Sequence, residues 1–213
     1  MPQKNTPQKT DIKLLSAALA IIIIISVIIV AYTTFTSPNN EDTPSDYIDD
    51  SFQKIEEVTV LTLRYQDTTL EYALSDLHSM KTTTGYGGYR TSFPSITGQG
   101  NYTGIAFTDL LKPLTQNLTF YTITVYSEDG YITNYTYDEI MGNVSIYDAS
   151  NASITEPVST GGVTMLLAYE FEDSALDVQN DGRFKIAYVD GTDAITSSQY
   201  WAKFVEEIQI NAE

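Results

Sequence analysis

The stretch Thr82–Phe93, TTTGYGGYRTSF, sets three glycines, two tyrosines and an arginine within twelve residues. Tyr86, Tyr89 and Arg90 are the residues here best able to line a pocket for a sugar, an aromatic or an anionic ligand. A tyrosine offers a flat apolar face with a hydroxyl at its rim. The competing reading is a bulged strand whose tyrosines pack on the domain. A phosphate cradle needs glycines that lead into a helix N-terminus. A β-like, Thr-rich segment surrounds these glycines instead, which argues against a nucleotide site.

Other candidates are thinner. His78 is the single histidine and the chain has no cysteine. Any Ser-His-Asp triad or His-containing metal site would have to use His78, yet its neighbours Leu77 and Ser79 supply no nucleophile. Disulfides, thiolate nucleophiles, zinc ribbons and iron–sulfur clusters are excluded together. Asp177–Gly182, DVQNDG, resembles the opening of a calcium loop, but Gln179 and Tyr188 stand where further ligands belong. Asp138-Glu139 and Glu206-Glu207 are adjacent pairs, whose carboxylates would face opposite sides of a strand. Both pairs read as solvated surface, and Trp201 reads as a core plug.

These residues must be held by a domain, and composition bounds what kind. The chain has 213 residues with 28 acidic against 11 basic side chains, a formal charge of −17. A nucleic-acid surface needs clustered Lys and Arg, so that partner is excluded. Sixteen Tyr, eight Phe and many Ile and Val can still build a core, unlike a disordered acidic tail.

Leu14–Tyr32 carries no charge, and its nineteen residues span roughly 28 Å as a helix, close to bilayer thickness. The stretch is longer than the apolar part of a cleaved signal peptide and leaves through a poor cleavage site. Lys4, Lys9 and Lys13 precede it against Asp11 alone; the other 27 acids and 8 bases follow it. The positive-inside bias therefore predicts a cytoplasmic tail (1–13), a membrane helix (14–35), an acidic Pro-containing stalk (36–53) and an outer domain (54–213). Five N-x-[ST] acceptors, at Asn101, Asn117, Asn134, Asn143 and Asn151, all follow the span. They are candidate glycosylation sites of an exported domain.

Within the outer domain, alternation predicts a strand over Val58–Tyr65, a turn at QDTT and a continuation through LEYAL. Ser75 is the expected cap of a short helix, and Thr108 that of a second one burying Leu110 and Leu111. A hairpin is expected around Asp129-Gly130, and a strand pair around Asn180-Asp181-Gly182. A helical turn and closing strand end the chain. Many strands with short helices between them predict a sheet-dominated α+β domain.

The order of these pieces resembles the molybdopterin-binding domain of sulfite oxidase-like oxidoreductases. The resemblance is carried by Tyr72–Leu77, by Tyr102–Leu111 with its Gly104 and Asp109-Leu110-Leu111, by Asp129-Gly130-Tyr131, and by Leu166–Glu170 with Leu176. Gly182–Lys185 and Trp201, Lys203, Val205 and Ile208 complete it. It covers about residues 58–210 and implies that fold, preceded here by one transmembrane helix. It also implies that Asp129 and Tyr131 lie at a pocket mouth with Tyr86, Tyr89 and Arg90. In catalytic members a cysteine thiolate binds molybdenum in the loop after the first helix. Thr82–Phe93 occupies that place without sulfur, and Arg183 and Lys185 replace the usual proline and arginine. The expectation is a single-pass cell-membrane protein, N-terminus inside. Its outer domain binds a small ligand or surface partner without catalysis, metal or cofactor. Molybdopterin enters only through the resemblance, as an oxidoreductase with atypical metal ligation; a structural cell-envelope protein is the blander alternative.

Overall fold

The computed structural model describes residues 58–212. The expected tail, membrane helix and stalk (1–53) lie outside them. Among the described residues no helix is long and apolar enough to cross a membrane.

The chain runs β1 (Thr59–Tyr65), β2 (Thr68–Ala73), α1 (Leu74–Ser79), β3 (Thr83–Arg90), β4 (Ile96–Ala106), α2 (Phe107–Leu110), α3 (Lys112–Thr115), β5 (Tyr121–Ser127) and β6 (Ile132–Tyr135). It continues through α4 (Tyr137–Ile140), β7 (Ser145–Ile146), β8 (Ser159–Thr160), β9 (Thr164–Phe171), β10 (Ser174–Ala175), β11 (Lys185–Asp190) and β12 (Ala194–Ser197). A 3-10 turn at Ser198–Tyr200 then leads to β13 (Val205–Ala212). The domain is thus sheet-dominated with short helices, as the alternating patterns require.

One sheet has the order β2-β1-β13-β5-β6. The last strand enters between the first and the fifth, parallel to β1 and antiparallel to β5. The second sheet has the order β10-β9-β11-β3-β12, and β4 pairs with both β3 and β9. The pairings β4-β9, β9-β11, β11-β3 and β3-β4 therefore close into a ring. One apolar cluster joins Leu61, Leu63, Ile123, Ile208 and Ile210 of the first sheet to Met165, Leu167, Ile186 and Tyr188 of the second. Leu77 of α1 and Phe107, Leu110 and Leu111 of the α2 turn are fully buried in it.

Several local expectations shift by a residue or two. Ala73, not Ser75, caps α1, and the Asp76 carboxylate reaches back to accept the Ala73 N–H at 2.9 Å. Ala106, not Thr108, caps α2. In both cases the preceding strand runs directly into the helix, so tertiary pairing rather than a capping hydroxyl sets the start. The Asp138-Glu139 pair lies on α4, not on a strand, and Glu139 forms a reciprocal cap with Thr136. The hairpin at Asp129-Gly130 forms, with Gly130 at φ 84°. β9 and β11 pair antiparallel, but the chain between them makes a further hairpin through β10. Its turn residues Glu172 and Asp173 have φ 49° and 58°, the two-residue geometry that matches strand twist.

Candidate functional site

The glycine-rich stretch is a strand, hydrogen-bonded to β4 on one side and to β11 and β12 on the other. Its glycines serve close approach. A Cβ on Gly87 would stand 2.4 Å from the Tyr188 carbonyl oxygen, and one on Gly85 would stand 2.7 Å from that of Asp190. A register shift between Gly87 and Tyr89 puts a bulge in the strand.

Tyr86 is half-buried, opposite Asn101 on one side and Asp190 on the other. The Tyr89 ring lies 5.1 Å from that of Trp201. Arg90 Nε donates to the Ala152 carbonyl at 3.0 Å, and its guanidinium lies 5.5 Å from the Tyr147 ring centre. Asp129 and Tyr131 sit in the β5–β6 turn of the other sheet, where the Asp129 carboxylate accepts the Tyr131 N–H and Tyr131 is exposed. The fold therefore keeps Asp129 and Tyr131 on one sheet and Tyr86, Tyr89 and Arg90 on the other.

Inside the strand ring lies Lys185, only 3% exposed. Its ammonium stands 5.5 to 5.9 Å from the ring centres of Tyr89, Tyr102 and Trp201. It donates to Asp181 Oδ1 at 2.8 Å, and Lys203 reaches the same oxygen at 2.9 Å. Burial pushes the Lys185 ammonium below the usual lysine range, with Asp181 only partly opposing. Burial alone would raise the Asp181 carboxyl, but the two lysine hydrogen bonds outweigh it and hold the group low. The Trp201 indole N–H donates to buried Thr196 at 2.8 Å, which anchors the core plug expected from sequence. With its aromatic neighbours and ion pair this lysine is satisfied, and its chemistry is that of the core.

An apolar hollow lies elsewhere. It measures about 290 Å³ and is lined by Leu74 and His78 of α1, Tyr169 and Glu170 of β9, Ala175, Leu176, Val178 and Arg183. Its shape follows from a bulge. Thr103 of β4 pairs with Glu170, but the next residue, Gly104, pairs with Ala168, leaving Tyr169 as the extra residue. That break in two-residue alternation lets the neighbours Tyr169 and Glu170 line one hollow. Gly104 is required there, since a Cβ on it would stand 2.2 Å from the Leu167 carbonyl oxygen. The His78 ring lies 5.0 Å from that of Tyr169, and Leu74 and Val178 expose apolar surface at the rim. A second, polar hollow of about 410 Å³ lies along Val58–Thr62 with Glu128, Arg183, Glu206 and Glu207, so Arg183 borders both hollows, and a third lies beside Phe120 and Tyr137. None of the three is lined by Tyr86, Tyr89, Arg90, Asp129 or Tyr131.

The residues present do not fit the metal centre that the resemblance implies. The place of its cysteine is taken by strand β3, where a Cβ on Gly85, Gly87 or Gly88 would stand 2.4 to 2.8 Å from its nearest neighbour, so none of these three positions has room for a ligating side chain. Oxygen donors such as Tyr86 are poor substitutes for a soft thiolate. Among the described residues no three His, Asp or Glu side chains converge as a metal site.

No family model matches this chain, and no curated protein matches it in sequence. Among solved structures it is similar to the sulfane dehydrogenase SoxCD from Paracoccus pantotrophus, with a TM-score of 0.50 and 12% identity. The match covers 72% of this chain and 38% of that one. At this identity the likeness is one of fold, and it agrees with the fold that the sequence pieces resemble.

Sequence reading passed over Tyr169, Glu170 and Arg183 as ligand residues. Tyr169 and Glu170 were visible only as part of the Leu166–Glu170 match. One signal was available in the sequence: an arginine directly after the turn residue Gly182, in a chain short of bases.

Proposed function

We propose that the outer domain binds a small, largely apolar ligand in the hollow between α1, β9, β10 and Arg183, and performs no chemistry on it. The bulge at Tyr169 carries this reading, because it gathers apolar walls and a few polar groups into one concave site. The lining residues include no Ser, Thr or second histidine to pair with His78 as nucleophile and base. Contact is assigned to the hollow rather than to Tyr86–Arg90, since Tyr89 and Arg90 already hold partners within the fold.

In this reading the domain stands outside the cell on the membrane helix at 14–35. The lysines before that span and the five acceptor asparagines after it support the orientation. All five asparagines are exposed, as use by a glycosylating enzyme requires.

The test is methyl NMR on the full chain in lipid nanodiscs, titrated with the uncharged probe phenylacetamide. The reading expects saturable shifts at the methyl groups of Leu74, Leu176 and Val178. Shifts that are absent, or that are spread over the sheets, would dismiss it.

A further inference from the structure

We infer that the ligand is a zwitterion with an apolar side chain, of the class of a free hydrophobic α-amino acid. This rests on the binding reading above and adds the ligand's chemistry to it. Glu170 and Arg183 line the same small hollow. Among the described residues neither side chain enters an ion pair, with each other or with any third group.

Four other cations among the described residues hold a partner, whereas exposed Lys81 and Lys112, like Arg183, enter no ion pair. Arg64 pairs with Glu207 at 2.9 Å, Lys185 and Lys203 share Asp181, and Arg90 donates to a backbone carbonyl. With 28 acids against 11 bases in the chain, partners for an arginine are plentiful. Arg183 is exposed in its turn and also borders the polar hollow with Glu128, Glu206 and Glu207, yet among the described residues it forms an ion pair with none of them.

One molecule can complete both charges. A ligand carboxylate accepts the forked donors of Arg183, and a ligand ammonium donates to Glu170. Its side chain then lies against Leu74, Leu176 and Val178, with the tilted pair of Tyr169 and His78 rings as an aromatic wall. A hollow of about 290 Å³ is at the small end of ligand sites, which suits a single residue better than a peptide. The field of the protein selects in the same direction. A bare carboxylate approaches a chain of formal charge −17 against repulsion, whereas a zwitterion carries no net charge.

Calorimetry on the full chain in lipid nanodiscs decides this with matched probes. L-phenylalanine is compared with phenylacetate, which lacks the ammonium, with phenethylamine, which lacks the carboxylate, and with uncharged phenylacetamide. L-leucine and isovalerate form a smaller matched pair. The expected result is that an amino acid binds at least ten-fold more tightly than its truncated partners. Arg183→Gln then reduces amino-acid affinity at least ten-fold, and Glu170→Gln does the same, each with a thermal midpoint matching the parent. If phenylacetate or phenylacetamide binds as well as phenylalanine, and isovalerate as well as leucine, the zwitterion is overturned and the apolar hollow stands. If none of the probes binds, both readings fall.

Discussion

Lys185 and Asp181 form an ion pair of 2.8 Å in which the lysine is almost wholly buried, and Lys203, just before the last strand, closes on the same carboxylate oxygen. The pair ties the turn that bears Val178 and Arg183 to the strand ring. Removing one partner of a buried pair leaves a charge with no compensation, which costs about 3–5 kcal/mol. Asp181→Asn is therefore expected to lower the urea unfolding free energy by about 3 kcal/mol. Adding Lys185→Met should restore most of it, because the methionine suits the cage of Tyr89, Tyr102 and Trp201. A loss under about 1 kcal/mol for the single variant would show that the pair contributes little.

The same pair predicts a pH dependence. The Asp181 carboxyl is held low in the folded chain, so its contribution is present above the unfolded carboxylate value of about 3.9 and is lost as pH falls through the lower folded value. Between pH 7 and pH 3 the parent should lose more thermal stability than Asp181→Asn. Asp148 and Asp177 are also held low by hydrogen bonds, but both remain in the variant and cancel in the comparison. The Lys185 ammonium, depressed by burial, acts at the alkaline end. There the unfolded chain binds the proton more readily, so stability rises with pH up to the ordinary lysine value. Thermal midpoints of both proteins across pH 3–10 check both signs.

The two kinds of glycine should separate cleanly. A Cβ on Gly87 meets the Tyr188 carbonyl, so Gly87→Ala forces the ring strands apart at a cost of about 1–3 kcal/mol. Gly130 has open space around it and a φ of 84°, so Gly130→Ala meets only the left-handed backbone cost of roughly 1–2 kcal/mol. Chemical denaturation should show the first as the larger loss. The folding barrel ring, rather than a ligand, is then what those glycines serve.

Rim substitutions should remove binding without removing the fold. Val178 is 54% exposed and Leu74 44%, so an aspartate at either place leaves the core intact while charging the apolar wall. Val178→Asp is expected to weaken L-phenylalanine or L-leucine binding at least ten-fold, with the thermal midpoint within about 2 °C of the parent. Calorimetry beside a melting curve reads both.

Exposure of Asn101, Asn117, Asn134, Asn143 and Asn151 predicts carbohydrate at these positions when the chain is made in a host that glycosylates exported proteins. Intact-mass spectrometry should show stepwise additions, one of which disappears with each Asn→Gln change. An unmodified mass would argue against export in that orientation.

Much of the domain was legible in its residues. Alternation located β1, the β5–β6 hairpin and the closing strand; the Leu110-Leu111 pair and Trp201 were identified as core. Composition alone excluded cysteine thiolate chemistry. These are local or compositional properties, and they need no knowledge of what lies across the sheet. The hollow is of another kind. Tyr169 and Glu170 share a face only because β4 pairs out of step with β9, and α1 reaches them from about ninety residues earlier in the sequence. Ser75 lost the cap of α1 to Ala73 because strand β2 runs straight into the helix. Lys185 is a core residue only because Asp181, Lys203 and three aromatic rings surround it. Strand order, register and the neutralisation of a buried charge are settled by distant contacts, so the tertiary structure alone decided where the apolar hollow lies.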